Sequence, residues 1–203
     1  LIMDVDTGGK LEHFSINCKI IERNSVSAII MEDKTGLKKN SLFGTEVKQK
    51  QESIKNFSDK IEIGKKLTKS LMIISRIESL ILGKTVKDAL NRAEHYLAAG
   101  SDGIMIHSKS STPNEIFKFS KKFKKLFPNV PLVSVPSSYN QVLETRLINE
   151  GFNVVIYANH MLRASYPAMK QVAYEILKHG RSYESDKNLM SIKKIFNLIP
   201  GTK

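Results

Sequence analysis

Short apolar runs alternate six times along the chain with longer amphipathic stretches. The runs are Leu1–Met3, Ser27–Met31, Leu71–Ile74, Gly103–Ile106, Pro131–Val135 and Asn153–Tyr157. Each is too short for a helix and rich in Ile or Val, so each is predicted to be a buried parallel strand. Between them the apolar spacing becomes helical. Val86, Ala89, Leu90, Ala93 and Leu97 share one face, with Thr85 placed to cap the start and Gly100 the end. Thr112-Pro113-Asn114-Glu115 reads as a capping box with proline at the first helical position, ahead of Ile116, Phe119 and Phe123. A further helix is predicted from about Tyr166 to Lys178, stopping at Gly180.

Strands alternating with helices imply a parallel sheet, either open and doubly wound or closed as a barrel. The polar residues choose between them. They stand at the C-terminal ends of nearly every run: Asp4 and Asp6, Glu32 and Asp33, Arg76 and Glu78, His107 and Ser108, Pro136 to Tyr139, then Asn159 and His160. An open sheet gathers its binding groups at a switch point, whereas a barrel draws them from many strand ends. No glycine-rich dinucleotide loop follows any run. The expectation is an α/β protein, an (α/β)8 barrel of TIM type. Such a barrel needs eight units and about 250 residues. Six units occupy the 203 residues, so residues 1–203 are read as one incomplete catalytic domain. It would hold strands three to eight and the C-terminal helices, and lack roughly the first two β/α units.

Composition narrows the setting. A single cysteine, Cys18, excludes an internal disulfide and fits a reducing compartment, so the expected location is the cytoplasm. No apolar run approaches the ~18 residues of a membrane-spanning helix. The net charge of +12 invites a polyanion partner. However, the densest run, Lys118 to Lys125, falls on the solvent side of a helical pattern, and the neighbouring aromatics mostly keep core spacing rather than forming a stacking platform. Neither nucleic acid nor membrane is expected as a partner.

The candidate chemistry begins with Asp4-Val5-Asp6, which places two carboxylates on the same side of an extended strand. Glu32 ends the next run. Three strand-end acids would repel one another without a cation among them, and carboxylate oxygens with room for water suit Mg2+. The plainer alternative is that Asp4 or Asp6 caps a turn. Arg76 and Glu78 repeat the same-side spacing. An arginine leaving an apolar run needs a partner, either Glu78 alone or an anionic substrate held bidentately. His107 follows Gly103–Ile106 directly, at a strand end where it can also face a substrate. The polar segment from Lys34 to Gly44 has glycine at Gly36 and Gly44, as a closing lid would. Lys38 and Asn40 on it would bring a cation and an amide donor to an anion.

Asp4-Val5-Asp6-Thr7-Gly8-Gly9, Glu32-Asp33-Lys34, Lys38-Lys39-Asn40-Ser41-Leu42, Arg76-Ile77-Glu78-Ser79, Ile106-His107-Ser108, Tyr157–Ala164 and Leu198–Thr202 together resemble the phosphoenolpyruvate mutase branch of the isocitrate lyase superfamily. The resemblance covers essentially the whole chain. It implies a barrel whose last helix is exchanged between subunits of a homodimer or homotetramer. The implied reaction is the interconversion of phosphoenolpyruvate and phosphonopyruvate, which forms a carbon–phosphorus bond for phosphonate biosynthesis. It implies Mg2+ bound at Asp4, with Asp6 and Glu32 acting through waters. Arg76 and His107 would address the substrate, with Lys38, Asn40 and Ser41 on a gating loop above it. The family's carboxylate nucleophile lies upstream of the metal-binding strand, so the chain by itself is expected to be inactive. Phosphonopyruvate hydrolase is the nearest alternative, and Asn40 and Ala158 favour the mutase over it. The carbon–carbon lyases carry a Cys-bearing loop where this chain has Leu37-Lys38-Lys39-Asn40. A non-catalytic remnant is a third reading.

Overall fold

A computed structural model describes residues 1–36, 49–199 and 201 of the chain. It divides into two compact units, Leu1–Tyr157 and Ala158–Lys203. In the first, strands β1 (Ile2–Asp4), β2 (Ala28–Glu32), β3 (Met72–Ile77), β4 (Gly103–Ile106), β5 (Leu132–Ser134) and β6 (Val154–Val155) pair in sequential order. Every pairing is parallel. Five helices separate them: α1 (Leu11–Arg23), α2 (Ile54–Leu67), α3 (Val86–Ala98), α4 (Asn114–Leu126) and α5 (Glu144–Asn149). The sheet curls as a six-stranded half-barrel, the arrangement expected of part of a TIM-type barrel.

The two-residue period of the strands sorts side chains between two faces. Ile29 and Met31, Ile73 and Ile77, and Ile104 and Ile106 pack into one core with Phe14, Phe57, Tyr96, Phe119 and Phe123 from the helices, all buried. The residues between them, Ile30, Glu32, Ile74, Arg76 and Met105, take the opposite face. Gly64 allows α2 its close approach to β3, because a Cβ there would lie 2.7 Å from Ile73 Cδ1. The lysine run behaves as expected. On α4, Ile116, Phe119 and Phe123 are buried while Lys118, Lys121, Lys122 and Lys125 are exposed.

Two helix starts differ from expectation. Thr85 does cap α3, accepting from Asp88 N at 3.1 Å. Thr112 does not complete a capping box. Pro113 itself occupies the N-cap of α4, Thr112 Oγ1 meets Ser110 Oγ at 3.2 Å, and Glu115 accepts the Ser108 hydroxyl instead. Local hydroxyl pairing within the loop outcompetes the cap. In the second unit, helix α6 spans His160–His179, beginning six residues before the predicted start and running through Pro167, then ending at left-handed Gly180. A 3-10 turn (Tyr183–Asn188) and α7 (Ile192–Leu198) follow. Among the described residues no helix is long and apolar enough to cross a membrane.

Candidate active site

Strand register brings the sequence candidates of the first unit into rows on the face away from the helices. Asp4 pairs with Ile30 and Ile30 with Ile74. One row further along, Glu32 N donates to Asp6 O at 2.7 Å, Glu32 pairs with Arg76, and Arg76 pairs with Met105. Lys34, Glu78 and His107 stand two residues beyond on their respective strands, on the same face. Four neighbouring strands therefore end in an unbroken polar patch. Apolar residues precede it on each strand because the sheet interior cannot satisfy charge.

Glu32, Lys34, Arg76, Glu78 and His107 are all buried and form one ionic cluster. Arg76 Nε donates to Glu78 Oε1 at 2.6 Å, and its Nη2 lies 3.4 Å from Glu32 Oε2. Lys34 Nζ lies 3.3 Å from Glu32 Oε1, 3.4 Å from Glu78 Oε2 and 3.0 Å from Gln49 Oε1. Arg76 Nη2 is 3.0 Å from His107 Nδ1, while Glu78 Oε1 is 3.3 Å from the same atom. A guanidinium only donates. The shorter contact therefore makes Nδ1 the acceptor and leaves the ring proton on Nε2. Burial, reinforced by the Arg76 charge, pulls the His107 pKa down, so the ring is neutral near physiological pH. Burial acts on Glu78 in the opposite sense, but the charges of Arg76 and Lys34 outweigh it and hold that carboxyl well below its ordinary range. Glu32 goes the other way. Burial raises its pKa, with Arg76 and Lys34 only partly offsetting it.

Among the described residues His107 Nε2 has no hydrogen-bond partner, and Glu32 Oε1 has none beyond its ion-pair contact with Lys34 Nζ at 3.3 Å. A buried polar atom left unmade costs on the order of 1–3 kcal/mol. The His107 Nε2–H marks where an external acceptor would be accommodated.

Asp33 points to the other face and organises the strand ends from behind. Its Oδ1 accepts from Glu78 N at 2.8 Å, and its own N–H donates to Arg76 O at 3.0 Å. Its Oδ2 accepts from Gln51 Nε2 at 2.8 Å, Tyr96 Oη at 2.8 Å and Arg92 Nη1 at 3.1 Å. Arg92 also donates to Glu52 O at 3.0 Å and to Asp88 Oδ2 at 3.2 Å. Complete burial pushes the Asp33 carboxyl up to about 7, against the pull of these donors. Through backbone groups on both sides of Ile77, Asp33 fixes the stretch that carries Arg76 and Glu78.

Of the sequence candidates, Glu32, Arg76 and His107 are brought into one cluster. Asp4 and Asp6 lie beside it on β1 and the turn after it, with Asp4 Oδ1 accepting from Asp6 N at 2.9 Å, which is the turn-capping geometry. Asp6 adopts a left-handed φ of 53° that Asp tolerates better than most residues. Among the described residues no three His, Cys, Asp or Glu side chains close around a common point as direct metal ligands. The donor set is all oxygen, Asp4 is exposed, Asp6 half-buried, and Glu32 buried between Lys34 and Arg76. That combination fits a hard cation retaining several waters better than a closed cage. Lys38, Asn40 and Ser41 lie outside the described residues. Asn159 and His160 belong to the second unit, Asn159 as the left-handed N-cap of α6.

Sequence reasoning gave no role to Lys34 or to the Asp33–Arg92–Tyr96 network. Both had a signal. Lys34 is two residues after Glu32, the same-side spacing already seen in Asp4/Asp6 and Arg76/Glu78. Arg92 and Tyr96 are spaced four apart on a helix face otherwise lined by Ala89 and Ala93, so an inward polar partner was required.

The chain and its fold match known proteins. The family profile described as phosphoenolpyruvate phosphomutase matches residues 1–177. A phosphonopyruvate hydrolase from Variovorax sp. is 37% identical over 98% of this chain and 68% of its own length. The structure of a phosphoenolpyruvate phosphomutase from Streptomyces platensis superposes with a TM-score of 0.88 at 33% identity, covering 97% of this chain and 68% of that one. A phosphonopyruvate hydrolase solved with oxalate and Mg2+ superposes at 0.83 with 35% identity, covering 98% and 68%. The chain spans about two thirds of the length of each.

Proposed function

The chain belongs to the phosphoenolpyruvate phosphomutase family, and we propose that its site interconverts phosphoenolpyruvate and phosphonopyruvate with Mg2+. The observation that carries this reading is the buried Glu32–Arg76–Glu78–His107 cluster with His107 Nε2 left without a hydrogen-bond partner among the described residues. Arg76 and the Nε2–H of neutral His107 are both donors, and they suit the carboxylate and phosphoryl oxygens of a small phosphorylated acid. Asp4 would hold the cation directly, with Asp6 and Glu32 acting through its waters. When bound, Mg2+ would supply Lewis-acid stabilisation of negative charge on a substrate oxygen. The oxalate and Mg2+ in the related hydrolase structure support a two-oxygen chelating substrate of this kind.

In this reading Arg76 orients the substrate while the phosphoryl group leaves oxygen for carbon. Lys38, Asn40 and Ser41 would line a gating loop that keeps water from intercepting it. The apolar residues exposed on α6, among them Met161, Leu162, Met169 and Leu177, support assembly as a homodimer or homotetramer through that helix.

A second reading is hydrolysis of phosphonopyruvate to pyruvate and phosphate, favoured by the 37% identity to the Variovorax hydrolase. Phosphorus NMR separates the two. The protein, at the full length of its relatives, is incubated with phosphonopyruvate and Mg2+. Appearance of an O–P ester resonance supports the mutase. Inorganic phosphate with pyruvate replaces it by the hydrolase. No conversion overturns both.

A further inference from the structure

Lys34 has no part in the reaction as drawn, yet its ammonium is buried between the two carboxylates of the site. Glu32 and Glu78 both reach Arg76, at 3.4 and 2.6 Å. Two carboxylates against one guanidinium would leave a buried net negative charge, and the guanidinium would have little attraction left for an anion. Lys34 takes the remaining oxygen of each, Oε1 of Glu32 at 3.3 Å and Oε2 of Glu78 at 3.4 Å. With His107 neutral, the formal charges of Glu32, Glu78, Lys34 and Arg76 sum to zero. A lysine that is 3% exposed is costly to bury, and replacing such ion pairs by apolar residues is often neutral or stabilising. Its place here is therefore poorly explained by stability.

We propose that Lys34 sets the charge of the site, leaving Arg76 able to draw in an anionic ligand while preventing Glu32 from gripping a divalent cation too tightly. The inference rests on the proposed reading of the site as a paired cation and anion pocket. In it Lys34 is a positioning residue. It touches Glu32 and Glu78 rather than the reacting atoms, and it acts through the field it places on Arg76 and Glu32.

The signature is a pair of changes of opposite sign. In the 203-residue chain, Lys34→Gln removes the positive charge and nearly keeps the size. Mn2+ binding, followed by electron paramagnetic resonance without other ligands, should become about tenfold tighter. Oxalate binding, followed by calorimetry at saturating Mg2+, should become about tenfold weaker. One unit charge acting across a few ångströms at the intermediate effective dielectric of a partly buried site gives at least that order. Lys34→Arg should leave both affinities within about threefold of the parent. Lys34→Met repeats the neutral test with an apolar stem, and far-UV circular dichroism verifies the fold of each variant. Both affinities moving in the same direction would mean Lys34 is merely structural and would overturn the proposal alone. Neutral variants that do not fold overturn it as well. A parent chain that binds neither Mn2+ nor oxalate overturns the reading of the site and the proposal with it.

Discussion

Replacing Arg92 by Met tests whether the network behind the strand ends is held by charge. The Arg92 side chain is 7% exposed and is a buried counter-ion to Asp33, which is fully buried. After the substitution, Asp33 keeps its bonds from Glu78 N, Gln51 and Tyr96 but loses the guanidinium at 3.1 Å. Removing one member of a buried pair costs about 3–5 kcal/mol. Three neutral donors remain, and the Asp88 contact is partly solvated, so the low end applies, roughly 3 kcal/mol. For a chain of this size each kcal/mol is worth ~2–4 °C, giving a fall in Tm of about 6–12 °C.

The pH dependence follows from the direction of the Asp33 shift. Its folded pKa, about 7, lies above the ordinary value of 3.8. A raised carboxyl favours folding most when protonated, and that contribution is lost as pH rises from about 4 through about 7. Without Arg92 the carboxyl climbs further. The variant's deficit should therefore be small at pH 5, larger at pH 8, and full only above the variant's own raised pKa. Urea unfolding at the two pH values, monitored by circular dichroism, measures both quantities. The double variant Asp33→Asn/Arg92→Met should recover part of the loss, because the two sites couple. A loss below about 1 kcal/mol at pH 8, or one of equal size at pH 5, would refute the argument.

Three other outcomes are expected. Glu22 Oε1 accepts from the backbone N–H of Ser70 at 2.6 Å, Lys69 at 2.7 Å and Leu71 at 3.1 Å, and these bonds, Ser70 foremost, bring its pKa down to about 2. A depressed carboxyl stabilises above its unfolded pKa and ceases to as pH falls through the folded one, so Glu22→Ala should lower Tm at pH 6 and the difference should vanish near pH 2. Gly64→Ala forces a methyl against Ile73 Cδ1 and Phe14 in a closed core and should cost about 1–3 kcal/mol in urea titrations, whereas an unchanged midpoint would mean α2 can shift outward. Asn40→Ala, in a protein of the relatives' full length, should lower kcat by roughly 10²-fold with little change in Tm. Near-normal turnover there would make the segment a passive connection.

Much of the fold is written in a local pattern. Runs of Ile and Val bounded by glycine and polar residues mark the strands, and Gly103–Ile106 coincides with β4 residue for residue. Thr85 caps α3 because a hydroxyl at that spacing meets Asp88 N wherever the helix packs. The predicted start of α6 at about Tyr166 falls six residues late, because one missing N–H at Pro167 does not stop a helix already formed from His160. The capping box at Thr112 failed for a related reason, since Ser108 and Ser110 offer competing partners that spacing cannot rank.

For the site, alternation along single strands was enough to place Asp4 with Asp6 and Arg76 with Glu78 on shared sides, and the strand ends were enough to nominate Glu32 and His107. Which of these meet depends on register between strands, and register is specified by which face of each strand is buried across the whole sheet. The Glu32–Arg76 pairing makes Arg76 a shared partner of two carboxylates rather than of Glu78 alone. The tautomer of His107 depends on a guanidinium 31 residues away in sequence. Lys34 and Asp33 differ by one position, yet one enters the ionic cluster and the other is fully buried among Tyr96, Arg92 and Gln51. Side-chain type is local information. Burial, and with it the strength of every charge interaction, exists only once distant strands have packed together.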